Sequence, residues 1–159
     1  MSAVWGDNKR VTDREYPVRP MVGIGIVMLK PGPGGSASVL LVRRAKAPSL
    51  GQWALPGGGQ ELGETAEAAA RRELLEEAGL AAGAMHLAAN VDSIHHDPAG
   101  RIRFHYTILD FATLWQGGEP VAGDDVSEAV FAPLDALAPF ELWSEAHRVI
   151  AIARDILKL

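Results

Sequence analysis

Residues Gly58 to Leu80 read GGQELGETAEAAARRELLEEAGL, and the second half of this stretch is built from Ala, Leu, Glu and Arg. These residues lose little rotamer freedom in a helix, so Thr65 to Ala78 is expected to be helical. Thr65 suits the N-cap, Glu67 the first turn and Gly79 the C-terminal stop. On such a helix Glu73, Glu76 and Glu77 occupy positions i, i+3 and i+4 of one face. Three carboxylates there repel one another unless something positive lies among them, and a hard divalent cation such as Mg²⁺ prefers such oxygen donors. A solvated surface face accounts for the same spacing. Leu74, with Ala70 and Ala78 a turn away, forms an apolar stripe fit to anchor the helix on a sheet. Arg72 stands where it can pair with a glutamate and fix its rotamer.

Upstream, Met21 to Leu29 (MVGIGIVML) is rich in Val and Ile and reads as a buried strand. Lys30 to Ser36 is a turn, and Ser38 to Arg43 is the second strand of a hairpin. The Gly- and Pro-rich span Ala45 to Gly59 is expected to be a structured loop whose glycines let backbone approach a ligand. Downstream, Met85 to Ile94 and Arg101 to Ala112 read as strands joined by a turn at His96 to Gly100. In the second of these, Ile102, Phe104 and Tyr106 alternate with Arg101, Arg103 and His105. Gln116 to Asp125 is an acidic loop and Ala129 to Ala132 a short strand. Trp143 to Leu157 is a closing helix, with Val149, Ile150, Ile152, Ala153 and Ile156 apolar. Strands flanked by two helices predict an α/β sandwich around a mixed sheet. Residues 1–20 form a polar N-terminal arm and residues 21–159 a single domain.

The 159 residues carry a formal net charge of -5, with 48% hydrophobic and 22% charged residues and no cysteine. Disulfides, thiolate metal sites and cysteine nucleophiles are thereby excluded. No dense basic stretch serves a nucleic acid polymer, since Arg43, Arg44 and Lys46 are too few. No apolar run reaches the roughly 20 residues of a membrane span. The arm lacks the apolar core of a signal peptide, so a cytoplasmic location is expected.

Gly58, five residues, Glu64, seven residues, then Arg72-Glu73-Leu74-Leu75-Glu76-Glu77-Ala78-Gly79-Leu80 resembles the signature box of the Nudix hydrolases at every fixed position. Gly51, Trp53 and Pro56-Gly57-Gly58 resemble the approach to that box, and the likeness covers roughly Val22 to Leu137. The resemblance implies an α/β/α sandwich in which Glu73, Glu76 and Glu77, with the Gly58 carbonyl, bind Mg²⁺ or Mn²⁺. Arg72 would orient a metal-binding glutamate, and Glu64 would be an auxiliary acid. The implied reaction is attack of water on the pyrophosphate of a nucleoside diphosphate linked to another moiety. Among acidic residues downstream, Glu119, Asp124, Asp125 and Glu128, the last three are the candidates for general base.

For the substrate, Arg43 and Arg44 are placed to reach phosphates, and Trp53 and Tyr106 to stack on a base; a strand end and core packing explain the same residues. His95, His96 and His105 read as polar rim residues rather than zinc ligands. His96-Asp97-Pro98-x-Gly100-Arg101, Ala122-Gly123-Asp124-Asp125 and Phe131-x-Pro133-Leu134 resemble the branch labelled ADP-ribose pyrophosphatases. A nucleoside triphosphate pyrophosphohydrolase is the alternative, because Pro98 lies further from the box than the proline of many ADP-ribose enzymes. Some Nudix-like domains only sense nucleotides, but they usually lose box glutamates, and all three stand here. Family members are often homodimers, and the arm is a candidate for exchange between subunits.

Overall fold

The computed structural model describes residues 14–46 and 49–159. Strand β1 (Met21–Pro31) buries Ile24, Ile26 and Met28 on one face and Val27 and Leu29 on the other. A strand apolar on both sides must be covered on both sides, so β1 becomes the centre of a three-layer fold. It pairs antiparallel with β2 (Ala37–Arg44) near its C-terminal end and with β4 (Gly57–Gly59) near its N-terminal end. Along its other edge it runs parallel to β6 (Ile102–Leu114), from Met21 opposite Tyr106 to Leu29 opposite Leu114. β5 (Met85–His96) closes that side against β6, while β7 (Val126–Pro133) and the two-residue β3 (Trp53–Ala54) both pair with β2.

Helix α1 (Ala66–Ala78) covers one face, packing Ala69, Ala70, Leu74 and Ala78 against Ile24, Ile26, Met28 and Phe111. Helix α2 (Ser144–Ile156) covers the other, setting Val149, Ile150 and Ala153 against Val27, Leu29, Val39 and Ala112. The result is an α/β/α sandwich around a mixed sheet. Among the described residues no helix is long and apolar enough to cross a membrane.

Four expectations are corrected. The span Ala45 to Gly59 is not only a loop, because Trp53–Ala54 and Gly57–Gly59 are short strands. β7 is twice as long as Ala129 to Ala132. Ile156, 37% exposed, lies off the apolar face of α2, since Val149 and Ala153 already fill the sheet contact. Ile102 is 44% exposed, because β6 outruns the covered part of the sheet at that end. Of the arm, residues 1–13 lie outside the described residues, so exchange between subunits is untouched by the structure. Tyr16 donates its amide to the Arg103 carbonyl (2.7 Å) and its hydroxyl to Asp97 (2.9 Å).

Leu74 is fully buried between α1 and the sheet whereas its neighbour Leu75 is 60% exposed. Leu74→Ala is expected to destabilise the fold by about 3 kcal/mol, and Leu75→Ala by no more than about 0.5 kcal/mol. Urea unfolding of both variants checks the pair.

Candidate functional site

α1 begins and ends as its termini demand. The Thr65 hydroxyl accepts from the Ala68 amide (3.1 Å), and Gly79 adopts φ 65° while donating to the Leu75 carbonyl. Further orphan carbonyls are met by the acidic loop: Val121 donates to Ala78 (2.9 Å) and Gly123 to Glu77 (3.2 Å). A Cβ at Gly123 would sit 1.8 Å from the Glu76 carbonyl oxygen, so only glycine lets the loop lie on this helix end.

The helix presents its acids to the glycine strand β4. Arg72 is their hub. Its Nε and Nη2 donate to the two oxygens of Glu64 (3.0 and 2.6 Å), and Nη2 also reaches the Gly59 carbonyl (3.0 Å). Its Nη1 donates to Glu73 (2.8 Å) and Glu76 (3.2 Å). The bond from Arg72 holds Glu64 below the usual carboxylate range, and Arg72 itself is raised by the same bond. Glu73 is pushed up, chiefly by burial and against the pull of Arg72. Glu77, 7% exposed, accepts the Gly57 amide (2.9 Å). Burial lifts its carboxyl to about 7, the Gly57 bond opposing.

These contacts decide how far the residues suit a divalent cation. The donor set is right for a hard ion: three carboxylates and the carbonyl edge of β4. Glu73 crowds the position a Cβ would take at Gly58, with its Oε1 2.3 Å away. Nearly buried acid with little cationic compensation is what such an ion would offset. The acids do not form a finished cage, however. Glu73 and Glu76 turn to Arg72 and Glu77 to Gly57, and among the described residues no three His, Asp or Glu side chains converge as metal ligands.

On the opposite side of β4, the sheet and α2 enclose a cavity of about 640 Å³. Gly57, Gly58 and Gly59 line it, as do Arg44, Trp53 and Tyr106, while the three glutamates do not. Trp53 stands edge-on to Phe140 with centroids 5.0 Å apart, which fixes its ring at the cavity wall. His95 and His96 line it too, His95 within 3.1 Å of the Ser93 hydroxyl. Arg43 is placed differently: it donates to the Gly51 carbonyl and to Glu128, each at 3.0 Å. It therefore clamps β2 to the turn at Gly51 and to β7. Glu128 is its partner, Asp125 pairs with Lys46, and Asp124 is exposed with no side-chain partner among the described residues.

Sequence reasoning missed Asp110. It lies in β6 with 4% exposure, lines the cavity floor, and has no hydrogen-bond partner among the described residues. An acid within Ile108-Leu109-Asp110-Phe111-Ala112 was the available signal, since an unpaired buried charge is costly. Burial raises its carboxyl to about 6, with Arg148 opposing weakly.

The chain is thus an α/β/α sandwich whose glycine strand is gripped on one side by helical carboxylates and opens on the other to a cavity. The chain belongs to the Nudix family, the NUDIX domain model matching residues 19–151. An ADP-ribose pyrophosphatase from Methanocaldococcus jannaschii is 42% identical over 99 residues, which are 62% of this chain and 56% of that protein. An oxidized purine nucleoside triphosphate hydrolase from Danio rerio is 31% identical over 127 residues, 76% of this chain and 70% of that one. The NUDIX domain of Shewanella oneidensis NrtR, solved with ADP ribose, has the same fold: TM-score 0.73 at 22% identity, over 87% of this chain and 89% of that one. The chain spans about half the length of the first curated relatives it matches.

Asp110 has a consequence for stability. Its folded carboxyl titrates near 6 against 3.8 for the ordinary group, so the native state holds its proton more tightly. Below the ordinary value both states are protonated and nothing is lost; stability then falls as pH rises through this window, by roughly 3 kcal/mol at most. Thermal unfolding of Asp110→Asn at pH 4 and pH 8 is expected to show the variant gaining several degrees on the native protein between the two.

Proposed function

We propose that this chain hydrolyses the pyrophosphate bond of a nucleoside diphosphate linked to another moiety, with ADP-ribose or a similar nucleotide sugar in first place. The observation that carries this reading is the shared strand β4, whose glycines touch Glu73 and Glu77 on one side and line the cavity on the other. A nucleotide seated in the cavity thereby brings its phosphates to the carboxylates. The 42% identity to an ADP-ribose pyrophosphatase supports the first choice of substrate. The Danio rerio relative favours a second reading, cleavage of a purine nucleoside triphosphate to monophosphate and pyrophosphate.

Glu73, Glu76 and Glu77, with the Gly58 carbonyl, would hold Mg²⁺ or Mn²⁺. Such an ion neutralises pyrophosphate charge that otherwise repels a nucleophile and makes bound water more acidic. The chain's own residues do the rest. Arg72 holds Glu73 and Glu76 in position, and Arg44 at the cavity wall meets phosphate. Trp53 and Tyr106 offer ring faces to the base. A water oxygen bonds to phosphorus, the anhydride P–O bond breaks, and the leaving phosphate departs with that electron pair. The water proton passes to a carboxylate. Of the three proposed bases, Asp125 and Glu128 are engaged in ion pairs, which leaves Asp124 as the one free to take it.

With Mg²⁺, the protein is expected to cleave at least one member of a panel of ADP-ribose, nucleotide sugars, nucleoside triphosphates and dinucleoside polyphosphates. Glu76→Gln or Glu77→Gln is expected to slow that reaction on the order of 100-fold or more, about 3 kcal/mol of barrier. Glu67→Gln, on the same helix but paired with Arg71, is the control. Absence of any phosphate-bond cleavage across the panel rejects the enzyme reading, and nucleotide binding without turnover then identifies a sensor.

A further inference from the structure

Gly25 of β1 lies between Asp110 of β6 and Gly57 of β4, all three in register across the sheet. A Cβ at Gly25 would come within 2.0 Å of the Asp110 Oδ1, so the glycine leaves the carboxylate lying over the β1 backbone. Residues of one face alternate along a strand, and Phe104, Tyr106, Ile108 and Asp110 all line the cavity. The carboxylate is thus the polar point at the end of a largely apolar and aromatic floor. Among the described residues nothing donates to it. The nearest charges on α2 are committed to each other, Arg148 donating to Glu145 at 2.6 Å and also to the Asn90 carbonyl (3.4 Å).

We infer that Asp110 is a specificity-determining residue: it accepts a hydrogen bond from the exocyclic amino group of the substrate's nucleobase. A carboxylate is an acceptor only, with two oxygens to satisfy. A base whose edge presents an amino group meets it, and one presenting a carbonyl there sets two acceptors against each other. A base with neither leaves a buried charge unpaired. The inference rests on the nucleotide reading above but not on turnover, because base recognition is measurable without hydrolysis.

Matched nucleotides isolate the amino group. Adenosine and inosine monophosphates differ at one base edge by amino against oxo, cytidine and uridine monophosphates likewise, and guanosine exceeds inosine monophosphate by one amino group. Calorimetric titration in EDTA is expected to show the amino-bearing member of at least one pair binding about tenfold or more tightly. Asp110→Asn, which offers its own donor, and Asp110→Ser, which removes the charge, are both expected to bring that ratio within about threefold. In any substrate that is turned over, the loss is expected in KM rather than kcat. Equal binding of every pair by the native protein overturns the inference, as does a ratio that survives in both variants. Thermal unfolding establishes that each variant is folded, and either one alone suffices for the comparison. Failure of hydrolysis with the binding ratio intact removes the enzyme reading and leaves this one standing.

Discussion

The hydrogen bond from the Gly57 amide to the Glu77 carboxylate ties a backbone group of the sheet directly to a side chain of the helix. It depends on glycine at positions 57 and 58 of β4. A Cβ at Gly57 would lie 2.0 Å from the Ile24 carbonyl oxygen, and one at Gly58 would lie inside the Glu73 carboxylate. A larger residue at position 57 would strike the β1 backbone and one at position 58 the Glu73 carboxylate, so β4 would lose its place between β1 and α1. The same close approach buries Glu77, so packing α1 onto the sheet and raising the energy of its acid are a single event. The helix docks through apolar contact, and the carboxylates ride on that docking.

Arg72 makes the arrangement tolerable. One guanidinium faces Glu64, Glu73 and Glu76 within hydrogen-bond range, and Glu61 at 3.9 Å. Exposed ion pairs contribute little, but the Arg72, Glu64 and Glu73 side chains are only 23, 18 and 12% exposed, so water does not screen them fully. Taking away the arginine would leave partly buried acids without compensation, which costs more than the pairs contribute. Glu77 makes no bond to Arg72, and burial, opposed by the Gly57 amide, raises its carboxyl to about 7.

The elements legible in the sequence are those set by neighbours in the chain. The caps at Thr65 and Gly79, the stripe through Leu74 and the two-sided apolar run of β1 follow from local rules, and the structure bears them out. β3 and β4 were illegible because two- and three-residue strands carry no side-chain period; only pairing with β1 and β2 makes them strands. Arg43 and Arg44 look alike as a dipeptide, yet an irregularity in the β2–β7 register falls between them, and one pairs with Glu128 while the other lines the cavity. Asp110 was hidden for a similar reason. Its meaning depends on a glycine opposite it in a strand more than eighty residues earlier, and register is a property of the sheet rather than of either segment.

Placing the acids on one face of the sheet and the cavity on the other has a further consequence. Among the described residues Asp110, Tyr106 and Trp53 make no hydrogen bond to the acids of α1; the backbone of β4, which bonds Glu77 and lines the cavity, links the two sets, and the charge of Arg44 at the cavity wall also acts on Glu77. Under the proposed function, substitutions in the cavity would therefore alter what is bound while leaving the carboxylates, Arg72 and the glycine strand in place. On the proposed function, the box accordingly carries information about the bond that is broken and almost none about the base beyond it. That second kind of information sits in strands whose sequence looks like ordinary core, and a single acid without a partner is the mark it leaves.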